Sequence, residues 1–177
     1  MLFVCTGNIC RSPTAERLAA VFAAEHPEAG LQVSSAGTHA VVGHGLERTA
    51  ARVLQTLGGD PGGFRARHLT TSMVDGADLV LAMTEQHRSR VLELSPRAMR
   101  RTFTLREAAR LVRLTSGELE LSARLVAARA QHPRGDADDD IGDPIGQELS
   151  TFELVGADIA DALRPVLEAT LVHPPAP

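Results

Sequence analysis

The 177-residue sequence predicts an α/β fold: a three-layer α/β/α arrangement around a small, twisted parallel sheet of about four strands. Three observations predict it. Short apolar runs alternate with amphipathic helical stretches along the chain, the pattern of strands joined by right-handed helical crossovers. The run at 78–82, Asp-Leu-Val-Leu-Ala, is nearly continuous in apolar residues, as a parallel strand buried on both faces must be. The first apolar run passes through a curled, glycine-containing loop straight into a helix start. That places the loop at the carboxyl end of a strand, where doubly wound sheets bind ligands.

The elements follow in order. Leu2 to Val4 form the first strand. Residues 13–26 form an amphipathic helix with Ala15, Leu18, Ala19 and Phe22 on one face, Ser12 as its N-cap and Pro13 as its first residue. Residues 32–35 form a second strand, and 46–57 a helix ended by Gly58-Gly59. The strand at 78–82 leads to a helix over 84–94, capped by Thr84 and stopped before Pro96. A fourth strand covers 102–105. Leu149, Phe152, Val155, Ile159 and Leu163 mark a closing helix that Pro165 ends or kinks.

The chemistry concentrates in Cys5-Thr6-Gly7-Asn8-Ile9-Cys10-Arg11-Ser12-Pro13. Gly7 and Asn8 tolerate the unusual backbone angles of a tight curl. A curl between a strand end and a helix N-terminus turns its amides inward and binds anions. A free thiol is only about 3% thiolate at neutral pH, and the field of such a loop with Arg11 is expected to favour the thiolate of Cys5. A thiolate there can attack phosphorus and form a covalent phosphocysteine. Arg11 would hold two phosphoryl oxygens with its planar fork, where lysine offers only a point charge. The plain alternative is a buried, inert cysteine beside a surface arginine.

This segment resembles the signature of the low-molecular-weight protein tyrosine phosphatases. The resemblance continues through Val33-Ser34-Ser35-Ala36-Gly37-Thr38, Arg65-Ala66-Arg67 and Asp78-Leu79-Val80-Leu81-Ala82-Met83-Thr84, and returns at Asp143-Pro144. It implies that fold and a cysteine-dependent phosphatase reaction without metal or cofactor. Thr6 to Ser12 would bind the phosphate, Arg11 included. It implies Cys5 as nucleophile and Asp143 as general acid and then base, on a loop stiffened by Pro144. It implies a supporting network of Asn8, Ser12 and Ser35, with Ser12 donating to the thiolate. Cys10 is either a disulfide partner that protects Cys5 under oxidation or a packed apolar thiol.

The sequence departs from that family at three points. Phe64 stands where a supporting histidine is usual; His68 lies one turn away in sequence, either as a surface or capping residue, the favoured reading, or as a replacement for it. Ile145 stands where an aromatic residue usually follows Asp-Pro. The chain has no Tyr and no Trp, which leaves His39, Val41, Val42 and His44 for the other wall of the substrate slot. An aliphatic slot holds a ring more weakly than an aromatic one. Residues 106–134 look longer than in compact members. Ala109, Val112, Leu119, Ala123 and Val126 suggest one or two helical segments broken near Ser116-Gly117, either edge decoration or a partner-binding insert.

Composition sets the frame. One domain over 1–172 is expected, with 173–177 a disordered tail. A net charge of −4 gives no footprint for nucleic acid, although all 18 basic residues are arginine. No apolar run reaches the roughly 20 residues of a membrane span, and no signal peptide is apparent. Two cysteines fit a reducing cytoplasm. The acidic run from Asp136 to Asp143 fails the calcium-loop pattern, with Ile141 at position six and Gln147 at position twelve, and reads as a solvated mobile loop. The expected partner is a phosphorylated protein, phosphotyrosine above all, or a small aryl phosphate. Two alternatives stand beside hydrolysis. A thiol-dependent arsenate reductase would need relay cysteines beyond Cys10, which the chain lacks, or an external thiol in their place. A phospho-ligand binding module would have no use for Cys5 and Asp143.

Overall fold

Strand β1, Leu2–Cys5, is buried along its whole length and turns alternate side chains to opposite faces of the sheet. Leu2 and Val4 enter one apolar cluster with Val74, Val80, Val91 and Ala98. Phe3 and Cys5 enter the larger one with Leu81, Met83, Phe103, Leu111, Ile159 and Leu163. A sheet apolar on both faces must be covered on both, and it is. The computed structural model describes residues 1–115, 119–132 and 139–171.

Four parallel strands run in the order β2-β1-β3-β4: β1, β2 (Ser34–Gly37), β3 (Val80–Ala82) and β4 (Thr102–Thr104). Leu2 pairs with Ser34 on one side and with Val80 on the other. Helices α1 (Arg11–Glu25), α2 (Arg48–Thr56), α5 (Leu105–Val112) and α7 (Leu149–Glu168) assemble on one side, with α7 against the other three. Helices α3 (Thr71–Asp75) and α4 (Glu85–Leu94) and the 3-10 turn Pro96–Arg101 contribute Val74, Val91 and Ala98 to the opposite cluster. Helix α6, Leu121–Gln131, packs on α5 and that turn.

The three-layer parallel fold is the one expected, and several boundaries move. Helix α1 begins two residues early. Its N-cap is Cys10, with no side-chain cap bond, because the Ser12 hydroxyl is occupied elsewhere. Pro13 is tolerated inside the first turn, where backbone N–H groups have no helical partner. β2 lies two residues later than expected; Gln32 O instead accepts the Met1 ammonium at 2.7 Å. Pro165 does not end α7, which continues to Glu168; Leu163, Val166 and Leu167 stay buried in the core, and that outweighs one lost hydrogen bond. Thr84 caps α4 as expected, accepting from His87 N at 3.2 Å.

Residues 106–134 do carry helix: α5 buries Ala109 and Val112 as expected and Val126 of α6 packs half-buried against the core, but Leu119 is 62% exposed, Ala123 is exposed, and α6 buries Arg124, Leu125 and Ala128. Arg129 anchors α6 through two 2.7 Å bonds to the Glu107 carboxylate and stacks its guanidinium 3.8 Å over the Phe103 ring. The expected break at Ser116-Gly117, the acids Asp136 and Asp138, and the tail 173–177 lie outside the described residues. Residues 139–141 of the acidic run are not solvated as expected, whereas Gly142 and Asp143 are exposed. Asp139 is buried and pairs with Arg110 at 3.2 Å, Asp140 accepts from Glu85 N at 2.7 Å, and Ile141 is fully buried. No described helix is long and apolar enough to cross a membrane.

Candidate active site

β1 ends at Cys5, and the chain curls from there into α1. The curl is fixed from outside. The carbonyls of Cys5, Thr6, Gly7 and Ile9 accept from the amides of Thr38, His39, Val41 and Glu47 at 2.7–2.9 Å. In a trans peptide the N–H points opposite to the C=O. The amides of Thr6, Gly7, Asn8 and Cys10 therefore point away from the 38–47 segment, as an anion-binding concavity requires. Gly37 has no room for a side chain: a Cβ there would stand 2.4 Å from Thr6 O.

Asn8 is the only non-glycine residue at positive φ among those described, at 53°. Its amide explains why that strain persists. Nδ2 donates to Ser35 Oγ at 2.7 Å and to Ser12 Oγ at 3.0 Å, while Oδ1 accepts from Arg67 N at 2.9 Å. Ser12 Oγ in turn lies 2.9 Å from Cys5 Sγ. Because Asn8 supplies Ser12 with a proton, the Ser12 hydroxyl proton is free to point at sulfur.

The network ends on a residue that sequence reasoning missed. Ser35 Oγ donates to Glu16 Oε2 at 2.5 Å, and Glu16 pairs with Arg67 at 3.3 Å. Glu16 is one helical turn beyond Ser12, and that spacing was the available signal. Phe64 is buried with the Arg17 guanidinium 5.5 Å from its ring centroid, and the His68 side chain is exposed and compensates for nothing.

Arg11, 4% exposed, reaches across to the loop before α7. Nη2 bonds Asp143 Oδ2 at 2.5 Å and Nη1 donates to Ile141 O at 3.1 Å. Asp143 keeps 48% of its side chain exposed, so it faces both the arginine and solvent. Pro144 is buried, and Ile145 N donates to Asp143 Oδ1 at 3.2 Å. The structure thus brings together Cys5, Arg11, Ser12, Asn8, Ser35 and Asp143. Cys10 is a free, buried thiol, and burial, with Cys5 next, pushes its pKa up to about 12.

Ile9 and Val41 both lie close to Gly7: a Cβ at Gly7 would meet Ile9 Cγ1 at 3.4 Å and Val41 Cγ2 at 3.8 Å. Val41, Val42 and Ile145 are exposed, and so are His39 and His44, so the flank of the curl combines aliphatic residues with two histidines. A second missed residue is His87, buried between Thr84 and Thr6.

The model of the low molecular weight phosphotyrosine protein phosphatases matches residues 1–120. The chain is 40% identical over 103 residues to the low molecular weight protein-tyrosine-phosphatase Etp of Escherichia coli, covering 58% of this chain and 66% of Etp. The chain thus spans slightly less than two thirds of that relative. It is 38% identical over 107 residues to a protein-arginine-phosphatase of Geobacillus stearothermophilus, covering 60% of this chain and 69% of that one. The crystal structure of the Erwinia amylovora tyrosine phosphatase AmsI superposes with a TM-score of 0.72 at 28% identity, covering 95% of this chain and 90% of AmsI. The chain belongs to the low molecular weight phosphotyrosine protein phosphatase family.

Proposed function

We propose that the chain, acting as a single phosphatase domain over 1–172, is a metal-independent phosphomonoester hydrolase that works through a phosphocysteine on Cys5. One observation carries the reading. Arg11 receives Asp143 from 132 positions further along the chain, beside a cysteine whose sulfur already faces a hydroxyl donor.

The phosphoryl oxygens take the amides of Thr6, Gly7, Asn8 and Cys10 and the fork of Arg11, which exchanges its pairing with Asp143 for the substrate. Cys5 sulfur attacks phosphorus as the bond from phosphorus to the leaving oxygen breaks. Protonated Asp143 delivers its proton to that oxygen, so the leaving group departs neutral. Water then attacks the phosphocysteine, Asp143 takes the water proton, the P–S bond breaks, and Ser12 stabilises the thiolate that returns.

The aliphatic flank of Ile9 and Val41 favours an aryl phosphate, hence phosphotyrosine in a protein or a small aryl ester. The relative that acts on protein arginine supports a second reading, in which a phosphoguanidinium occupies the same loop. Steady-state hydrolysis of an aryl phosphate near pH 6 with chelator present tests the reaction. Turnover lost in Cys5→Ser and slowed in Asp143→Asn is expected. No turnover in freshly reduced protein overturns it, and arsenite formation with an external thiol would then assign reduction. Paired peptides carrying phosphotyrosine or phosphoarginine decide the substrate, with the larger kcat/KM expected for phosphotyrosine.

A further inference from the structure

His87 stands in the first turn of α4, and its ring lies between two hydroxyls. Nδ1 is 2.8 Å from Thr84 Oγ1, and Nε2 is 2.8 Å from Thr6 Oγ1, on the residue next to Cys5. The side chain is 5% exposed. Three charged groups act on it from other elements: Arg11 on α1 opposes a proton, while Asp143 and Asp140 on the loop before α7 favour one. Burial decides the balance and, with Arg11, holds the ring's pKa down to about 4. The ring is then neutral at ordinary pH, with one donating and one accepting nitrogen. Thr84, His87 and Thr6 form a chain with a single direction, and both hydroxyls are pinned.

We propose that His87 is a positioning residue of the anion loop, fixing Thr6 and the turn that carries Cys5 from the β3 flank of β1, as Asn8 and Ser35 fix it from the β2 flank. The strand order puts β1 between those two neighbours, so the braces come from opposite sides. A loop held on both flanks has its amides aimed before substrate arrives, and a displacement of about 1 Å in such a loop costs on the order of 100-fold in rate. The proposal rests on the hydrolase reading for its kinetic consequence and on geometry for the rest.

Three variants test it, because glutamine and asparagine divide the two contacts. The amide of His87→Gln reaches the place of Nε2 and can keep the bond to Thr6. The amide of His87→Asn reaches only the place of Nδ1 and keeps Thr84. His87→Ala keeps neither. With an aryl phosphate, His87→Gln is expected within about threefold of wild-type kcat. His87→Asn and His87→Ala should fall about 10- to 100-fold. The rate at which iodoacetate alkylates Cys5, read by peptide mapping, should follow the same order without any turnover. Thr6→Val should match His87→Asn, and the double variant should lose nothing more.

Equal kcat and equal alkylation in the asparagine and glutamine variants would overturn the proposal. So would losses that track only the folded fraction by thermal unfolding, or losses that multiply in the double variant. If wild type does not hydrolyse the ester, the hydrolase reading fails and the alkylation order alone decides for or against His87.

Discussion

Arg11 and Asp143 meet at 2.5 Å with the arginine buried and the aspartate half in water. The carboxylate takes Nη2 and the Ile141 carbonyl takes Nη1, so a phosphoryl group that uses both arms of the fork would displace these bonds. Asp143→Asn is expected to lower kcat about 100-fold or more for phenyl phosphate, a poor leaving group, and much less for p-nitrophenyl phosphate. A uniform loss across leaving groups would argue against proton delivery. Arg11→Lys, a point charge in place of a fork, should raise the inhibition constant of inorganic phosphate at least tenfold.

Glu16 closes the far end of the bonds that lead from Ser35 through Asn8 and Ser12 to Cys5. It accepts the Ser35 proton, which leaves Ser35 to accept from Asn8. Glu16→Gln can present an N–H to Ser35 and leave the Ser35 proton without its acceptor, which loosens the hold on Asn8. About a tenfold slower alkylation of Cys5 is expected, with thermal stability changed by no more than about 1 kcal/mol. Unchanged alkylation would confine Glu16 to its ion pair with Arg67.

The Cys10 thiol is buried and pushed up to about 12, so it is a poor nucleophile at neutral pH. Iodoacetate at pH 7 should label Cys5 and leave Cys10 unmodified in the native protein, and both should react in denaturant. Cys10→Ser should retain hydrolysis within about fivefold. Faster labelling of Cys10 than of Cys5 would contradict the burial of its thiol.

His87 links stability to pH. Its folded pKa of about 4 lies below the ordinary 6.5, so the unfolded chain takes up the proton first as pH falls. Stability is full above about 6.5, declines toward about 4 and then levels, by on the order of 3 kcal/mol at most. Urea unfolding of wild type and His87→Gln across this range should show the gap between them closing as pH falls. A gap that stays constant would mean that the ring titrates freely.

Gly37 meets the Thr6 carbonyl through backbone, which cannot yield as a flexible side chain can. A Cβ there would stand 2.4 Å from Thr6 O and 3.0 Å from Ala40 Cα. Gly37→Ala should cost about 2 kcal/mol and also slow Cys5 alkylation, because the strand would push on the loop itself. Gly43→Ala meets nothing within 4 Å, although its φ is +82°, and serves as the comparison for backbone strain alone.

What could be read from the chain was local. Strand β1, the curl at Gly7-Asn8 and the Thr84 cap each depend on residues within a few positions of one another. Cys5 to Ser12 were therefore legible together, and the Asp143 partner followed from resemblance, not from spacing. Glu16 and His87 were missed because each has a partner on another element, Ser35 on β2 and Thr6 on the loop, and an isolated acid or histidine on a helix reads as surface. The α6 face was read correctly at Val126 and wrongly at Ala123, because alanines mark a helical period poorly. Arg124 and Arg129, which look solvent-facing, are respectively buried and bonded to Glu107. The Ser12 cap was misplaced because a serine before proline serves equally well as a cap or as a sulfur ligand, and only the folded loop decides.

The distance in sequence between the two halves of the site gives the protein a timetable. Arg11 leaves the ribosome 130 and 132 positions before Ile141 and Asp143, the groups that hold its guanidinium. At roughly 5–20 residues per second that interval lasts on the order of ten seconds. Through it the nascent chain carries its arginine without the two groups that hold the guanidinium. A product that stops before Ile141 would hold Cys5 with its Ser12, Asn8 and Ser35 partners but would lack both groups that bond the Arg11 guanidinium.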